Sequence, residues 1–137
     1  MAVKTLTVST GSSREIVDIT EQVSRAITEL GAKTGIVCIS VPHCTCSVYV
    51  NENETGLVQD TLDMLREMTQ DRQWRHNRID NNADAHLAAS LVGNSVMLPV
   101  RDGQLELGTW QRVMLVELDG PRSRRITVTT ISENTQG

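Results

Sequence analysis

Residues 3–10, VKTLTVST, alternate apolar and polar side chains, the period-two repeat that sets every second residue on one face of a strand. After Gly11-Ser12-Ser13, the run REIVDI at 14–19 predicts a second strand paired with the first as a hairpin. The period then changes: Val23, Ala26, Ile27 and Leu30 fall at i, i+3, i+4 and i+7, a helical stripe opened by Asp18 and Glu21 as a capping box and stopped by Gly31. TGIVCISV at 34–41 is apolar on both faces of the pleat, which predicts a central strand and makes Cys38 a buried small hydrophobe.

A strand over about 45–50 leads through Asn51 to a helix at 55–69 with Val58, Leu62, Leu65 and Met68 on one side. Glu52 and Glu54 precede that helix, where carboxylates complement its dipole. Residues 70–83, QDRQWRHNRIDNNA, are polar and aperiodic, and a loop of this length in a compact domain is usually either mobile or functional. A short helix follows at 84–92, with Leu87 and Leu91 predicted inward and Gly93 as its stop. Strands at 95–101 and 104–107 meet across Asp102-Gly103, a strong hairpin signal. RVMLVEL at 112–118 predicts another central strand, turning through Asp119-Gly120-Pro121 to pair with 124–132. The pattern is that of an α+β fold, a single domain over 1–137 with largely antiparallel sheets and two or three helices on one face.

Composition narrows the function. A chain of 137 residues builds one core, and a net charge of −4 offers no basic footprint for nucleic acid. Two Trp, one Tyr and no Phe supply no stacking platform for single strands either. Three cysteines, with Cys44 and Cys46 too close to bridge each other, point to a reducing compartment. No stretch approaches the roughly 18 apolar residues that cross a bilayer and the N-terminus has no signal core, so a cytosolic, membrane-free chain is expected.

The three histidines, His43, His76 and His86, all stand in polar contexts on separate elements. Convergence of three imidazoles is how an open catalytic metal site is built, although spacings of 33 and ten residues match no local ligand motif. Exposed or singly hydrogen-bonded histidines are the competing reading. Asp80, Asn82 and Asp84 mimic the start of a calcium loop, but Ala85 and Leu91 occupy its Gly and Glu positions, and helix capping by Asn82 and Asp84 is at least as good an account. Cys44 beside His43 invites a thiol nucleophile, yet neighbours on a strand point to opposite faces. Cys46 and Cys44 share a face as core filler or soft metal ligands. Arg122, Arg124 and Arg125 are either a solvated turn or a phosphate clamp.

Four blocks in order, HCTCSVYVNENE, DNNADAHLAASLVG, VRDGQLELGTWQ and ELDGPRSRR, resemble the YjbQ family, whose members are often labelled secondary thiamine-phosphate synthase, and the likeness runs from about residue 5 to 132. The resemblance implies a homotrimer with a polar pocket around His43, Asn51, Glu52, His76, Asp80, His86, Trp110 and Gln111, near a subunit boundary. It implies a reaction that joins a pyrimidine-methyl diphosphate to a thiazole phosphate. Two departures stand out. Cys44-Thr45-Cys46 replaces the family's Thr or Ser followed by Ala, and Asp80-Asn81 replaces two acidic residues. The lost charge weakens carboxylate-rich Mg²⁺ binding, and three imidazoles suit zinc better.

The resulting expectation is a metal-assisted enzyme acting on a small phosphorylated metabolite, with thiamine-phosphate synthesis as a main or side activity. His43, His76 and His86 would hold a divalent ion, zinc before magnesium; Glu52, Asp80 and His86 would act at the reacting centre; Asn51, Trp110, Gln111, Arg122 and Arg124 would bind substrate. The alternative is a trimeric metabolite-binding or regulatory module without turnover.

Overall fold

The computed structural model describes residues 1–70 and 73–133. In chain order its strands are β1 (Ala2–Ser9), β2 (Glu15–Asp18), β3 (Gly35–Ser40), β4 (Cys46–Asn51), β5 (Ser95–Arg101), β6 (Gln104–Leu105), β7 (Arg112–Glu117) and β8 (Ser123–Ser132). Helices α1 (Thr20–Glu29), α2 (Thr55–Thr69) and α3 (Ala83–Val92) and a 3₁₀ turn at Arg75–Arg78 complete the described elements. Asp71 and Arg72 of the expected long loop lie outside the described residues.

The strands form two antiparallel sheets, β1-β8-β3-β5-β6 and β2-β7-β4. Val37 and Ile39 of β3, Val100 of β5 and Ile126 and Val128 of β8 face Val113 and Leu115 of β7 and Val48 of β4, with Val23, Ala26 and Ile27 of α1 packed into the same core. On the other side of the small sheet, Val116 and Leu118 pack with Leu62 and Leu65 of α2 and Ala85, Ala88 and Ala89 of α3. The layers are therefore α2 and α3, the small sheet and the large sheet, with α1 packed into the core that the two sheets share. None of the helices among the described residues is long and apolar enough to cross a membrane.

This α+β, antiparallel architecture is the expected one, but two expected hairpins do not form. β7 has β2 on one edge and β4 on the other, so no edge is left for β8, which crosses to the large sheet between β1 and β3. β1 and β2 likewise belong to different sheets, because each finds its partner far along the chain. The hairpin across Asp102 and Gly103 does form, with both residues at positive φ, 52° and 79°. Its second strand is short, Gln104–Leu105.

Local corrections follow the same logic of burial. Asp18 does not act in a capping box: its Oδ1 accepts from Thr20 N at 2.9 Å and Thr20 Oγ1 at 2.6 Å, while Glu21 turns to Arg112 at 2.9 Å. α2 keeps its predicted bounds, with Glu54 as N-cap accepting from Gly56 and Leu57, but Met68 is exposed. In α3 the small residues Ala85, Ala88 and Ala89 face the sheet and let the helix approach closely, so Leu87 and Leu91 turn outward.

β3 is central but not buried on both faces. Ile36 is 48% exposed and Cys38 half-buried, because the outer face of the large sheet has no layer over it. The registers set Val3, Thr129, Cys38 and Met97 in one row across four strands and Ile131, Ile36 and Pro99 in the next.

Candidate functional site

The chain leaves β3 at Ser40 and reaches β4 through Val41-Pro42-His43-Cys44-Thr45. This crossing is clamped by the start of β8. Arg124 donates from Nη2 to the Thr45 carbonyl and Thr45 Oγ1, both at 3.0 Å, and from Nε to both Glu117 oxygens at 2.9 and 3.1 Å. Thr10 Oγ1 donates to Glu117 Oε1 at 2.7 Å, and Asp119 N–H donates to Glu117 Oε2 at 3.1 Å. Glu117 is fully buried and Arg124 nearly so. Burial pushes the Glu117 carboxyl up, but the bonds from Arg124, Thr10 and Asp119 outweigh it and hold the group below the usual range. Gly120 is required here, since a Cβ on it would stand 2.7 Å from Glu117 Cγ and 2.6 Å from the Ser12 carbonyl oxygen.

Arg124 is therefore structural, and its expected role in binding phosphate is corrected: its Nε and Nη2 donors are spent on Glu117 and Thr45, and the side chain is buried. Arg122 bonds the Asp119 carbonyl from Nε at 2.7 Å yet keeps a half-exposed side chain.

Beside this clamp, His43 Nε2 accepts the backbone N–H of Arg125 at 2.8 Å. Ser40 is the last β3 residue paired with β8, opposite Thr127, and continuing that register would set Pro42 opposite Arg125. The imidazole thus takes up a strand-edge donor that the departing backbone leaves open. Burial lowers the His43 pKa, and the charges of Arg124 and Arg125 lower it further against Glu117.

His76 and His86 meet on the other side. Their rings stand edge to face with centroids 4.7 Å apart. His76 Nε2 lies 2.9 Å from Asn82 Oδ1, and Asn82 Nδ2 donates to Asp119 Oδ2 at 2.9 Å. Asn82 opens α3 as expected, but its side chain makes no cap; Asn77 Oδ1 accepts from Ala83 N instead, and Asp84 pairs with Arg14.

A cavity of about 530 Å³ lies between the 43–46 crossing and α3, lined by His43, Cys44, Cys46, His86, Ala89, Ser90, Gly93 and Asn94. Among the described residues no carboxylate lines it. His86 also walls a second space of about 340 Å³ with Trp74, Arg75 and His76. Burial drives the Cys46 thiol up to about 12, so this sulfur stays protonated and inert at neutral pH.

The remaining expected residues lie elsewhere. Asn51 ends β4, paired with Arg112, and Glu52 follows it, whereas Cys46 pairs with Glu117 at the histidine end. Five residue steps at a strand's rise separate the ends by about 17 Å. There Glu52 lines a cavity of about 340 Å³ with Asp18, Asn53, Thr109, Trp110 and Arg112. Trp110 is 72% exposed, and Gln111 Oε1 is bound to Gly108 N at 2.8 Å. Asp80 is exposed just after the 3₁₀ turn. Among the described residues no group of three or more His, Cys, Asp or Glu is placed to hold a metal ion, so the expected three-histidine centre is not assembled within one chain. Ser90, Asn94 and the Arg125 N–H were not legible as site groups; only the fold brings them to the cavity wall or to His43.

The model of a family described as UPF0047 protein YjbQ-like matches residues 4–133. The chain belongs to this family. A UPF0047 protein of Archaeoglobus fulgidus is 45% identical over 124 residues, covering 90% of this chain and 96% of the relative. The family member YugU of Bacillus subtilis is 38% identical, covering 88% and 92%. Among solved structures, a YjbQ-like protein of unknown function from Sulfolobus solfataricus superposes with a TM-score of 0.93 at 46% identity, over 96% of this chain and 97% of its own. A hypothetical protein from Aeropyrum pernix gives the same TM-score at 39% identity, over 97% and 100%. The family's fold is thus the one described above.

Proposed function

We propose that the chain is an enzyme that binds a small phosphorylated metabolite in the cavity between the 43–46 crossing and α3. The observation that carries this reading is the lining: two imidazoles, two thiols, a hydroxyl and a carboxamide, with no carboxylate among the described residues, in a chain of net charge −4. An anionic ligand meets donors there and no like charge. Without a metal on it, His86, shared by both spaces, is the group that would move a proton at the ligand, and Arg122, just before β8, keeps an exposed guanidinium for phosphate. Resemblance to the YjbQ family directs the choice of reaction. Purified protein incubated with the pyrimidine-methyl diphosphate and the thiazole phosphate, with and without zinc, should yield thiamine phosphate and diphosphate. Compounds retained by the protein but recovered unaltered would favour the second reading, a metabolite-binding module.

A divalent ion fits two of the three imidazoles. Because Asn82 Nδ2 donates to Asp119, Asn82 Oδ1 is the acceptor toward His76, which leaves the His76 Nδ1 lone pair for a ligand beside His86. His43 does not fit, since its Nε2 lone pair is taken by Arg125 N–H. Zinc bound at His76 and His86 would stabilise charge building on a leaving oxygen.

We further infer that copies of this chain meet through the outer face of the large sheet, as a homotrimer. Its two rows described above carry Val3, Ile36, Met97 and Ile131, each at least 48% exposed, with Thr129, Cys38 and Pro99 between them and no charged residue. A contiguous uncharged sheet face calls for a matching uncharged surface, which a second copy presents. Sedimentation should give a trimer mass that falls for Met97→Glu; an unchanged mass would remove this face from the assembly.

A further inference from the structure

We infer that His43 works as a fixed neutral hydrogen-bond donor, presenting Nδ1–H to an oxygen of the ligand in the cavity; this rests on the reading of that cavity given above. The Arg125 N–H points at His43 Nε2 across 2.8 Å, and a donor cannot face a second N–H. Nε2 therefore carries the lone pair, and the single ring proton sits on Nδ1. The alternative ring flip would turn a C–H against the same amide and leave a backbone donor at the sheet edge unsatisfied. Protonating the ring would set two N–H groups against each other, so the bond selects the neutral form.

Nothing in the surroundings competes for Nδ1. His43 makes no other hydrogen bond among the described residues, and its ring lines the 530 Å³ cavity. The crossing that carries it is held from below by Arg124 on Thr45, itself locked to buried Glu117. The donor is thus placed before a ligand arrives, which is the condition for a hydrogen bond that strengthens binding without reorganisation. Its complement is an acceptor-only oxygen, such as a phosphoryl oxygen, and not a cation or a metal ion.

Long-range ¹H–¹⁵N correlation of ¹⁵N-histidine-labelled protein at neutral pH reads the tautomer directly: His43 should show a protonated Nδ1 and a bare Nε2, and the reverse tautomer or an imidazolium would overturn the assignment. Titration with inorganic pyrophosphate should then shift the His43 Nδ1–H resonance; saturable binding that leaves it unmoved would overturn the donor role. If pyrophosphate does not bind, the reading of the cavity falls and the donor role with it, while the tautomer stands, so the two failures are distinguishable. Two variants separate binding from structure. His43→Asn places an amide N–H near the Nδ1 position and should hold pyrophosphate affinity within a few-fold, whereas His43→Gln can still accept from Arg125 but offers no donor at Nδ1 and should lose about tenfold or more. A merely structural histidine would give the opposite order.

Discussion

Asn82 stands between His76 and Asp119, with Oδ1 2.9 Å from His76 Nε2 and Nδ2 2.9 Å from Asp119 Oδ2. The carboxamide cannot flip without turning its NH₂ away from the carboxylate, so it fixes the His76 tautomer as well as the ring plane. If zinc binds at His76 and His86, Asn82→Ala should weaken it by about 10-fold to 100-fold. His86→Ala should abolish stoichiometric zinc in folded, tag-free protein. Elemental analysis with calorimetric zinc titration checks both, and unchanged zinc content in His86→Ala would remove the assignment.

The Glu117–Arg124 pair carries a different prediction. Arg124→Met leaves a fully buried carboxylate without its partner and should cost about 3–5 kcal/mol in urea unfolding, while Glu117→Leu combined with Arg124→Met should recover much of that loss. Equal destabilisation of the single and double variants would show that the clamp on Thr45, and not the buried charge, dominates.

His43 makes stability depend on pH. Its folded pKa lies below the ordinary 6.5, first because of burial and then because of Arg124 and Arg125, with Glu117 opposing and His86 across the cavity as the other titratable ring. Between the two pKa values the unfolded chain binds more protons. The contribution is therefore complete above pH 6.5 and is lost as pH falls through the lowered folded value. Unfolding measured from neutral pH down to about pH 5 should show a smaller acid loss for His43→Gln than for the parent chain.

The thiols should separate by reactivity. Cys46 is buried with its pKa at about 12, whereas Cys44 is exposed. Iodoacetamide on native protein should alkylate Cys44 first and leave Cys46 untouched until unfolding, as peptide mass mapping would report.

Much of this architecture is written in local pattern. Period-two and period-3.6 repeats identified the strands and helices, and α2 keeps the bounds read from its apolar stripe. The pairing of strands was not legible. Alternation says that a residue faces a core but not which of two sheets supplies it, so the expected β1–β2 and β7–β8 hairpins gave way to β1–β8 and β2–β7 pairing. Leu87 and Leu91 misled for a related reason: hydrophobicity marks a helix face, but the close approach of α3 to the sheet favours the alanine face.

The amino-acid order alone determined which residue types are available for chemistry, three imidazoles in polar segments and an arginine cluster, because side-chain identity is local information. Tertiary structure decided what each of them can do. Arg124 lost its surface role when β8 carried it under Thr45 to a buried Glu117, and His43 acquired a fixed tautomer from a backbone amide 82 residues away in sequence. Glu52 and Trp110 went to the opposite end of β4 from His43. Hydrogen-bond partners and burial are properties of the packed chain, and those two quantities set a group's protonation, orientation and reach.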